Sequence, residues 1–152
     1  MAHYFFDTSA LIKHYHPEVG SPEVSKILDA PSSHCSIARL TLTEMVSVFA
    51  KKVRTGEIHE RDFDLLKLRF FSDVAHRLVV PTRILNGHFE AAGALISKHG
   101  KSRQLHTLDA LQLAVALSVQ TPTPVEHFVS ADQRLLEIVA LESVSAINPE
   151  TA

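Results

Sequence analysis

The sequence has a single cysteine, Cys35, among its 152 residues. One thiol cannot form an internal disulfide, which excludes the small disulfide-stapled folds of secreted proteins. The ten histidines form no H-E-x-x-H motif and have no C-x-x-C partner, which argues against a structural zinc site. Since Cys35 lies in the strand-like run HCSIA, we expect a buried, reduced thiol and a cytoplasmic protein.

An excess of positive charge and a long apolar run are also missing. Fifteen lysines and arginines against 17 acidic residues give a formal net charge of -2. A polyanion would therefore need a local cationic patch or a metal ion in order to bind. No apolar stretch approaches the roughly 20 residues that cross a bilayer, and the N-terminus does not have the form of a signal peptide. We expect no membrane partner.

Strand-like apolar segments alternate with segments of helical periodicity along almost the whole chain. Strands are predicted at residues 3–6, 34–38, 78–81, 127–131 and 144–147. Helices are predicted at residues 21–30, 41–56, 60–77, 84–100, 107–120 and 132–141, with Gly56 at the C-terminal end of the second. This alternation predicts an α/β fold with a parallel sheet. Without a repeat or a linker, residues 1–152 are expected to form one domain.

Three acidic residues fall where a predicted strand gives way to a helix. Asp7 follows the first strand in FFDTSAL, Glu44 lies in the first turn of the helix after the second strand, and Asp132 opens the helix after FVSA. Ligands of such folds bind beyond the carboxyl ends of the strands, so these acids are candidates for one site. Asp109, in HTLDAL, begins a helix that follows another helix, so spacing alone does not place it with the others.

Helix capping is an alternative explanation for each of these acids. Asp7 could cap the helix that follows it, and the segments 41–44 and 130–133 have the form of capping boxes. The helix dipole also favours acids in first turns. Asp109 fits this account least well, because its neighbours are apolar and a carboxylate there is costly unless it is paired or bound to a cation.

Several carboxylates at one edge of a sheet would repel one another and push their pKa values apart. A divalent cation would remove that conflict, and oxygen-only ligands suit Mg²⁺ or Mn²⁺ rather than zinc. Such an ion coordinates phosphate oxygens and lowers the pKa of a bound water. The acids therefore point to hydrolysis of a phosphodiester, if they meet.

Four stretches, FFDTSALIK, TLTEMVSVFAKK, QLHTLDALQLAVAL and FVSADQRLLEIVA, together resemble the PIN-domain ribonucleases. They look most like the VapC-type toxins of bacterial and archaeal toxin–antitoxin systems, from Tyr4 to about Pro149 and in the family's order. The resemblance implies a three-layer α/β domain whose central parallel sheet has about five strands. It also implies a Mg²⁺- or Mn²⁺-dependent endoribonuclease that cleaves single-stranded or loop RNA.

The resemblance also assigns roles to individual residues. The family's four catalytic acids correspond to Asp7, Glu44, Asp109 and Asp132. The metal ligands among them are Asp7, Asp109 and Asp132. Thr8 and Ser130 match hydroxyl positions beside the acids and are expected to orient them. His106 stands where relatives often carry arginine, a departure that weakens the expectation of an RNA contact there but leaves the acid site unchanged.

The partners implied by the resemblance are an RNA substrate, a cognate antitoxin protein and a second copy of the chain in a homodimer. In the family the antitoxin tail lies in an apolar groove near the helices after the second strand, and FDLLKLRFF is a candidate contributor. The helical spacing of Phe63, Leu66, Phe70 and Val74 predicts instead that this stretch packs into the core. Basic residues within 51–54 and 98–103 could guide RNA, although solvated helix ends explain them more simply.

Other site types fit the sequence less well. Gly100-Lys101-Ser102 resembles the end of a phosphate-binding loop, but Leu95 stands where that loop requires glycine. A phosphotransferase with Asp7 as nucleophile would usually have a second aspartate at the position of Ser9. The alternative that stays open is a PIN-like module that binds RNA or a protein without cutting, and the four intact acids argue against it.

Overall fold

The computed structural model describes all 152 residues and contains one sheet of five parallel strands. The strands are β1 (Ala2–Phe6), β2 (Ser33–Ala38), β3 (Val80–Thr82), β4 (His127–Val129) and β5 (Ser145–Ile147). Their order across the sheet is β3-β2-β1-β4-β5, so the first strand lies at the centre. Every neighbouring pair is parallel, which confirms the predicted sheet of about five parallel strands.

Seven α-helices connect the strands, and a 3₁₀ turn at Ile12–His14 extends the first of them. The helices are α1 (Thr8–Leu11), α2 (Ser21–Asp29), α3 (Arg39–Arg54), α4 (Glu60–Ala75), α5 (Asn86–His99), α6 (Thr107–Ser118) and α7 (Gln133–Leu141). The end of α3 is as predicted, because Gly56 follows it with a φ of 79°, a conformation that glycine adopts without strain. None of the helices is both long and apolar enough to cross a membrane.

The helices pack on both faces of the sheet and form three layers. Alternate strand residues point to opposite faces, so Phe5 and Phe128 contact α5, α6 and α7, whereas Phe6 and Val129 contact α1, α2, α3 and α4. Each face buries a separate apolar cluster, and both clusters include a residue of the central strand β1. The three-layer α/β architecture is therefore confirmed, and the central strand is held rigidly from both sides.

The helix starts differ from the sequence prediction at two of the acids. Helix α3 begins at Arg39, with Ala38 as its extended N-cap residue, so Glu44 lies in the second turn and not in the first. The predicted capping box at 41–44 is therefore wrong. The box at 130–133 is wrong as well, because Asp132 itself caps α7 by accepting hydrogen bonds from two backbone amides. Helix α3 follows β2 without a loop, so its cap lies before Thr41, whereas β4 ends two residues earlier than predicted, which leaves Asp132 as the cap of α7.

Helix α4 has two apolar faces, and only one of them contacts the core. Phe70 is fully buried, and Phe63, Leu66 and Val74 pack against the same cluster, which confirms the predicted core face. The opposite face exposes three large apolar side chains, which are Leu65, Leu68 and Phe71. The stretch FDLLKLRFF thus serves the core and also leaves an apolar surface uncovered.

Candidate active site

The carboxyl ends of three adjacent strands place the candidate residues at one edge of the sheet. Phe6 of β1 is aligned with Ile37 of β2 on one side and with Val129 of β4 on the other. Asp7 follows directly, and its backbone amide continues the β-ladder by donating to the Val129 carbonyl over 3.1 Å. The connection after β1 leads to β2 on one side and the connection after β4 leads to β5 on the other, and ligands of open α/β sheets bind at such a switch point. Asp7 therefore stands at the position where a ligand is expected.

Asp7 is almost completely buried, with only 5% of its surface exposed. Its Oδ1 accepts hydrogen bonds from the Ser9 hydroxyl at 2.7 Å and from the Ala10 amide at 3.1 Å, and its Oδ2 accepts one from the Ser130 hydroxyl at 2.7 Å. Burial raises the pKa of Asp7 to about 6, although these three donors favour the charged form. The negative charge of Asp109 raises the pKa slightly further. The bond from Ala10 also caps α1, so Asp7 has a structural role besides any chemical one.

Asp109 and Asp132 line a common cavity of about 440 Å³. Burial raises the pKa of Asp109, and the charge of Asp132 raises it further. Asp132 uses Oδ1 to accept from the amides of Arg134 at 3.0 Å and Leu135 at 3.3 Å, which leaves its Oδ2 available. Since Asp109 also influences Asp7, the three aspartates form one electrostatically coupled group. The structure thus brings Asp109 to the acids that follow the strands.

Glu44 joins the group through hydrogen bonds. Its Oε1 accepts from the Thr8 hydroxyl at 2.8 Å and from the Gln112 side-chain amide at 2.7 Å, while its Oε2 remains available. Thr8 is the neighbour of Asp7 in the chain, and Gln112 lies one helical turn after Asp109. The fourth acid is therefore connected to the segments that carry the first and the third.

Ser130 and Thr8 contact different acids. Ser130 donates to Asp7, and its oxygen also accepts from the Asp132 amide at 3.0 Å, whereas Thr8 donates to Glu44. Each hydroxyl thus fixes the rotamer of one carboxylate, and Ser130 ties the loop after β4 to the end of β1.

Two residues of the site, Ser9 and Gln112, were not identified from the sequence. Ser9 donates to Asp7 and accepts from the amide of Ala131 at 3.0 Å, which joins α1 to the loop after β4. Nothing in the spacing of Ser9 distinguishes it from an ordinary polar residue. Gln112 does carry a signal, because it is the one polar side chain between Ala110 and Leu117, and it lies three residues after Asp109 on the same helix face.

The donor chemistry of the site suits a hard divalent cation. The acids offer carboxylate oxygens, and the repulsion of Asp7 by Asp109 and of Asp109 by Asp132 favours a bound positive charge. No group of three or more histidine, cysteine, aspartate or glutamate side chains is gathered closely enough to surround an ion. Mg²⁺ nevertheless needs only one or two carboxylates, since water molecules complete its octahedral shell. The residues present therefore fit Mg²⁺ or Mn²⁺ bound with several waters.

Three of the six basic side chains in the two basic segments are paired with carboxylates. Lys52 is buried and lies 3.3 Å from Glu18 and 3.5 Å from Glu57. In the second segment, Lys98 pairs with Glu142 at 2.6 Å and Arg103 with Glu137 at 2.9 Å. The proposed solvated helix end is wrong for Lys52, because that side chain is an internal ion-pair partner. A guiding role for RNA finds no support at these paired residues.

The family model of the PIN domain matches residues 4–141 of the chain. This range contains the last three residues of β1, all four acids and the whole of α7. The chain belongs to the PIN domain family. The resemblance inferred from the sequence motifs is thereby confirmed. A comparison with curated protein sequences found no significant match.

Several solved structures share the fold of this PIN domain at low sequence identity. PAE2754 from Pyrobaculum aerophilum is 19% identical with a TM-score of 0.66, and the match covers 99% of this chain and 85% of that one. VapBC2 from Rickettsia felis, bound to a DNA fragment from their promoter, is 13% identical with a TM-score of 0.63 and coverages of 96% and 98%. FitAcB from Neisseria gonorrhoeae is 14% identical with a TM-score of 0.64 and coverages of 96% and 97%. At these identities the likeness concerns the fold.

Proposed function

We propose that this PIN-domain protein is a Mg²⁺- or Mn²⁺-dependent endoribonuclease that hydrolyses phosphodiester bonds of single-stranded or loop RNA. The observation that carries the proposal is the coupling of buried Asp7 with Asp109 and Asp132 at the carboxyl edge of the sheet. Burial disfavours the charged form of Asp7 and the negative charge of Asp109 disfavours it further, so a nearby positive charge would stabilise the ionised carboxylate. The choice of RNA rests on the family resemblance.

Asp7, Asp109 and Asp132 are the candidate ligands of the ion, one or two of them directly and the rest through bound water. A bound Mg²⁺ or Mn²⁺ would supply Lewis-acid activation of water and neutralise charge at the phosphate. The hydrogen bonds from Ser9, Ser130 and the Ala10 amide fix the Asp7 carboxylate in one orientation, so that it does not have to reorganise when substrate arrives.

Glu44 is the candidate for proton handling. Thr8 and Gln112 both donate to Oε1, so the other oxygen, Oε2, is the atom that can accept a proton or orient a water molecule. Both donors are neutral, and they hold the carboxylate without compensating its charge. Glu44 is therefore held in one orientation beside the aspartates that would serve the cation.

Cleavage of RNA by the wild-type protein tests this proposal. A panel of structured and single-stranded RNAs would be incubated with Mg²⁺, with Mn²⁺ and with EDTA, with Asp7→Asn beside the wild type. Asp64→Asn on the exposed face of α4 is the matched control. We expect cutting that requires the metal, persists in Asp64→Asn and disappears in a folded Asp7→Asn. Equal cutting by the Asp7→Asn protein would refute the assignment of the acid, and a folded wild type that cuts no RNA in a broadened panel would favour the non-catalytic binding module.

We further propose that the protein is the toxin of a type II toxin–antitoxin pair in the cytoplasm and that it forms a homodimer. Support comes from a groove between α3 and α4, with a volume of about 570 Å³, which is lined in part by Leu42, Val46 and Phe71. The exposed Leu65 and Leu68 extend this apolar surface along α4. VapBC2 and FitAcB, which share the fold, are also structures from toxin–antitoxin pairs. An apolar helix or tail of an antitoxin would cover such a groove.

The product of a small reading frame directly upstream of this one would test the partner. We expect it to bind the wild-type protein, and we expect Phe71→Asp to weaken binding strongly because the charge enters the apolar groove. Phe89→Asp is the control, since Phe89 is equally apolar and exposed but lies on α5. If the two substitutions weakened binding equally, the hypothesis that the partner binds in the α3–α4 groove would be contradicted. Analytical ultracentrifugation of the free protein would test the homodimer.

A further inference from the structure

The cavity that contains Asp109 and Asp132 has a second polar wall, which the acid chemistry does not use. Gln104, His106 and Arg134 line the same space of about 440 Å³. Their side chains form a continuous series of contacts: the Arg134 guanidinium donates to Gln104 Oε1, Gln104 Nε2 lies 2.8 Å from His106 Nε2, and His106 Nδ1 lies 3.5 Å from Asp109 Oδ2. The series connects a permanent positive charge to one of the catalytic acids.

The direction of each hydrogen bond in this series follows from the donors that the side chains carry. A guanidinium has only donors, so the oxygen of the Gln104 amide must face Arg134 and its NH₂ group must face His106. His106 Nε2 must then accept, which places the proton of the neutral imidazole on Nδ1, the atom nearest Asp109. Gln104 thus fixes the orientation of Arg134 and the tautomer of His106 at the same time.

Arg134 is the one permanently charged cation that lines this cavity, and it forms an ion pair with neither of the two acids beside it. Its side-chain partner is the neutral amide of Gln104, so its charge is not compensated and several of its donors remain free. The nearby Arg103 differs, because Glu137 neutralises it at 2.9 Å and it does not line the cavity. A free, oriented guanidinium inside an acidic cavity is suited to an anion that enters the cavity.

We propose that Arg134 contacts a phosphate of the RNA strand in this cavity and that Gln104 is the positioning residue that holds its guanidinium there. The proposal rests on the proposed function, because the acids and the phosphate are to meet in the same space. A chain with a formal net charge of -2 needs a local cation to admit a polyanion between carboxylates. The planar guanidinium can donate two parallel hydrogen bonds to one phosphate, which a lysine cannot.

Binding of a fluorescein-labelled oligouridine tests the phosphate contact separately from cleavage. The titrations would use fluorescence anisotropy, Mg²⁺, a series of salt concentrations and the full-length Asp7→Asn protein, so that the RNA stays intact. Arg134→Ala is expected to raise the Kd about tenfold and to reduce the slope of log K against log salt by about 0.7, the contribution of one contact to a single strand. Arg134→Lys is expected to keep the slope while the Kd still rises, because the charge remains and the fork is lost.

Gln104→Ala and Arg103→Ala complete the set. Gln104→Ala should raise the Kd about threefold without changing the salt slope, because it removes a hydrogen bond and no charge. Arg103→Ala removes a charge of the same sign near the cavity and should leave both quantities almost unchanged, because its partner Glu137 already neutralises it. Equal effects of Arg103→Ala and Arg134→Ala, or no effect of Arg134→Ala, would overturn the proposal, as would the absence of measurable binding by the Asp7→Asn parent.

The outcomes separate this proposal from the proposed function. If wild type cuts no RNA but the binding pattern holds, the phosphate contact stands and the nuclease proposal fails. If wild type cuts RNA and Arg134→Ala binds as well as its parent, only the phosphate contact fails. A further readout needs no RNA: long-range ¹H–¹⁵N spectra at alkaline pH should show His106 protonated at Nδ1, and the other tautomer should gain population in Gln104→Ala. An unchanged tautomer in Gln104→Ala would overturn the positioning role.

Discussion

Replacing Asp7 by asparagine should make this protein more stable at neutral pH while it abolishes the proposed activity. Asp7 is buried, and its pKa is raised from the ordinary value of 3.8 to about 6, chiefly by burial. Asparagine has the same shape, and its oxygen can still accept from Ser9 and the Ala10 amide, while its NH₂ can donate to Ser130. The substitution therefore removes the buried charge and keeps these three contacts, while the Ser130 hydroxyl, which loses its acceptor at residue 7, can donate to the Ser9 oxygen 3.3 Å away.

The magnitude follows from the difference between the two pKa values. At neutral pH, ionised Asp7 lowers the free energy of unfolding by about 3 kcal/mol, since each pH unit between 3.8 and about 6 corresponds to about 1.4 kcal/mol. The sign is set by proton binding: within this range the native state holds more protons than the unfolded state, so stability falls as pH rises. Below pH 3.8 both states are protonated, and above about pH 6 both are ionised, so the contribution is constant on either side.

Urea denaturation in EDTA, from acidic to neutral pH, is the assay. At neutral pH we expect the free energy of unfolding of the Asp7→Asn protein to exceed that of the wild type by about 2–3 kcal/mol, which corresponds to roughly 5–10 °C in Tm for a chain of this size. At acidic pH we expect the two free energies to converge. Asp64→Asn, on the exposed surface, should show no such divergence. Added Mg²⁺ should stabilise the wild type and not Asp7→Asn, because only the charged site binds it. If the wild type and Asp7→Asn differed in their free energy of unfolding by the same amount at every pH, the conclusion that burial raises the pKa of Asp7 would be refuted.

Three further substitutions test contacts of the fold and the site. Gln112→Ala removes one of the two donors that hold Glu44, and we expect single-turnover cleavage to slow by about 10–100-fold while RNA affinity changes little. Lys13→Met removes a buried ammonium that lies 3.0 Å from Glu18, and urea denaturation should show a loss of about 1–2 kcal/mol, since the remaining carboxylates can reach water. Gly20→Ala should lower the free energy of unfolding by about 2–4 kcal/mol, because the residue has a φ of 90° and its Cβ would lie 2.9 Å from the Pro149 backbone.

Each of these substitutions has a matched control in the chain. Gln120→Ala removes an exposed amide, Lys26→Met removes an exposed ammonium, and Gly87→Ala adds a Cβ that meets no atom within 4 Å. We expect these three to leave activity and stability nearly unchanged. If a control substitution changed activity or stability as much as the substitution it is paired with, the contact described above would not be the cause of the change.

Much of the architecture is local and was therefore predictable. Alternating strand and helix patterns predicted the parallel sheet, because a buried strand and an amphipathic helix can each be recognised over a few residues. The resemblance to the PIN domain implied the three layers. Helix starts were less predictable: Glu44 is one turn deeper in α3 than its neighbours suggest, since the chain enters the helix directly from β2 at Arg39. Which apolar residues of α4 remain exposed also became clear only from the structure, because Phe63 and Leu65 are both apolar and the sequence does not show which of them faces the core.

The sequence by itself determined the fold class and the family, and it pointed to the four candidate acids, because the motifs that carry them are short runs of consecutive residues. Only the tertiary structure decided how those acids are held. It brought Asp109 to Asp7 and Asp132, assigned Thr8 to Glu44 and Ser130 to Asp7, and added Ser9 and Gln112. The physical reason is that a pKa and a hydrogen bond depend on neighbours in space, which here are up to 123 residues distant in the chain, and only the packed sheet and helices bring those neighbours together.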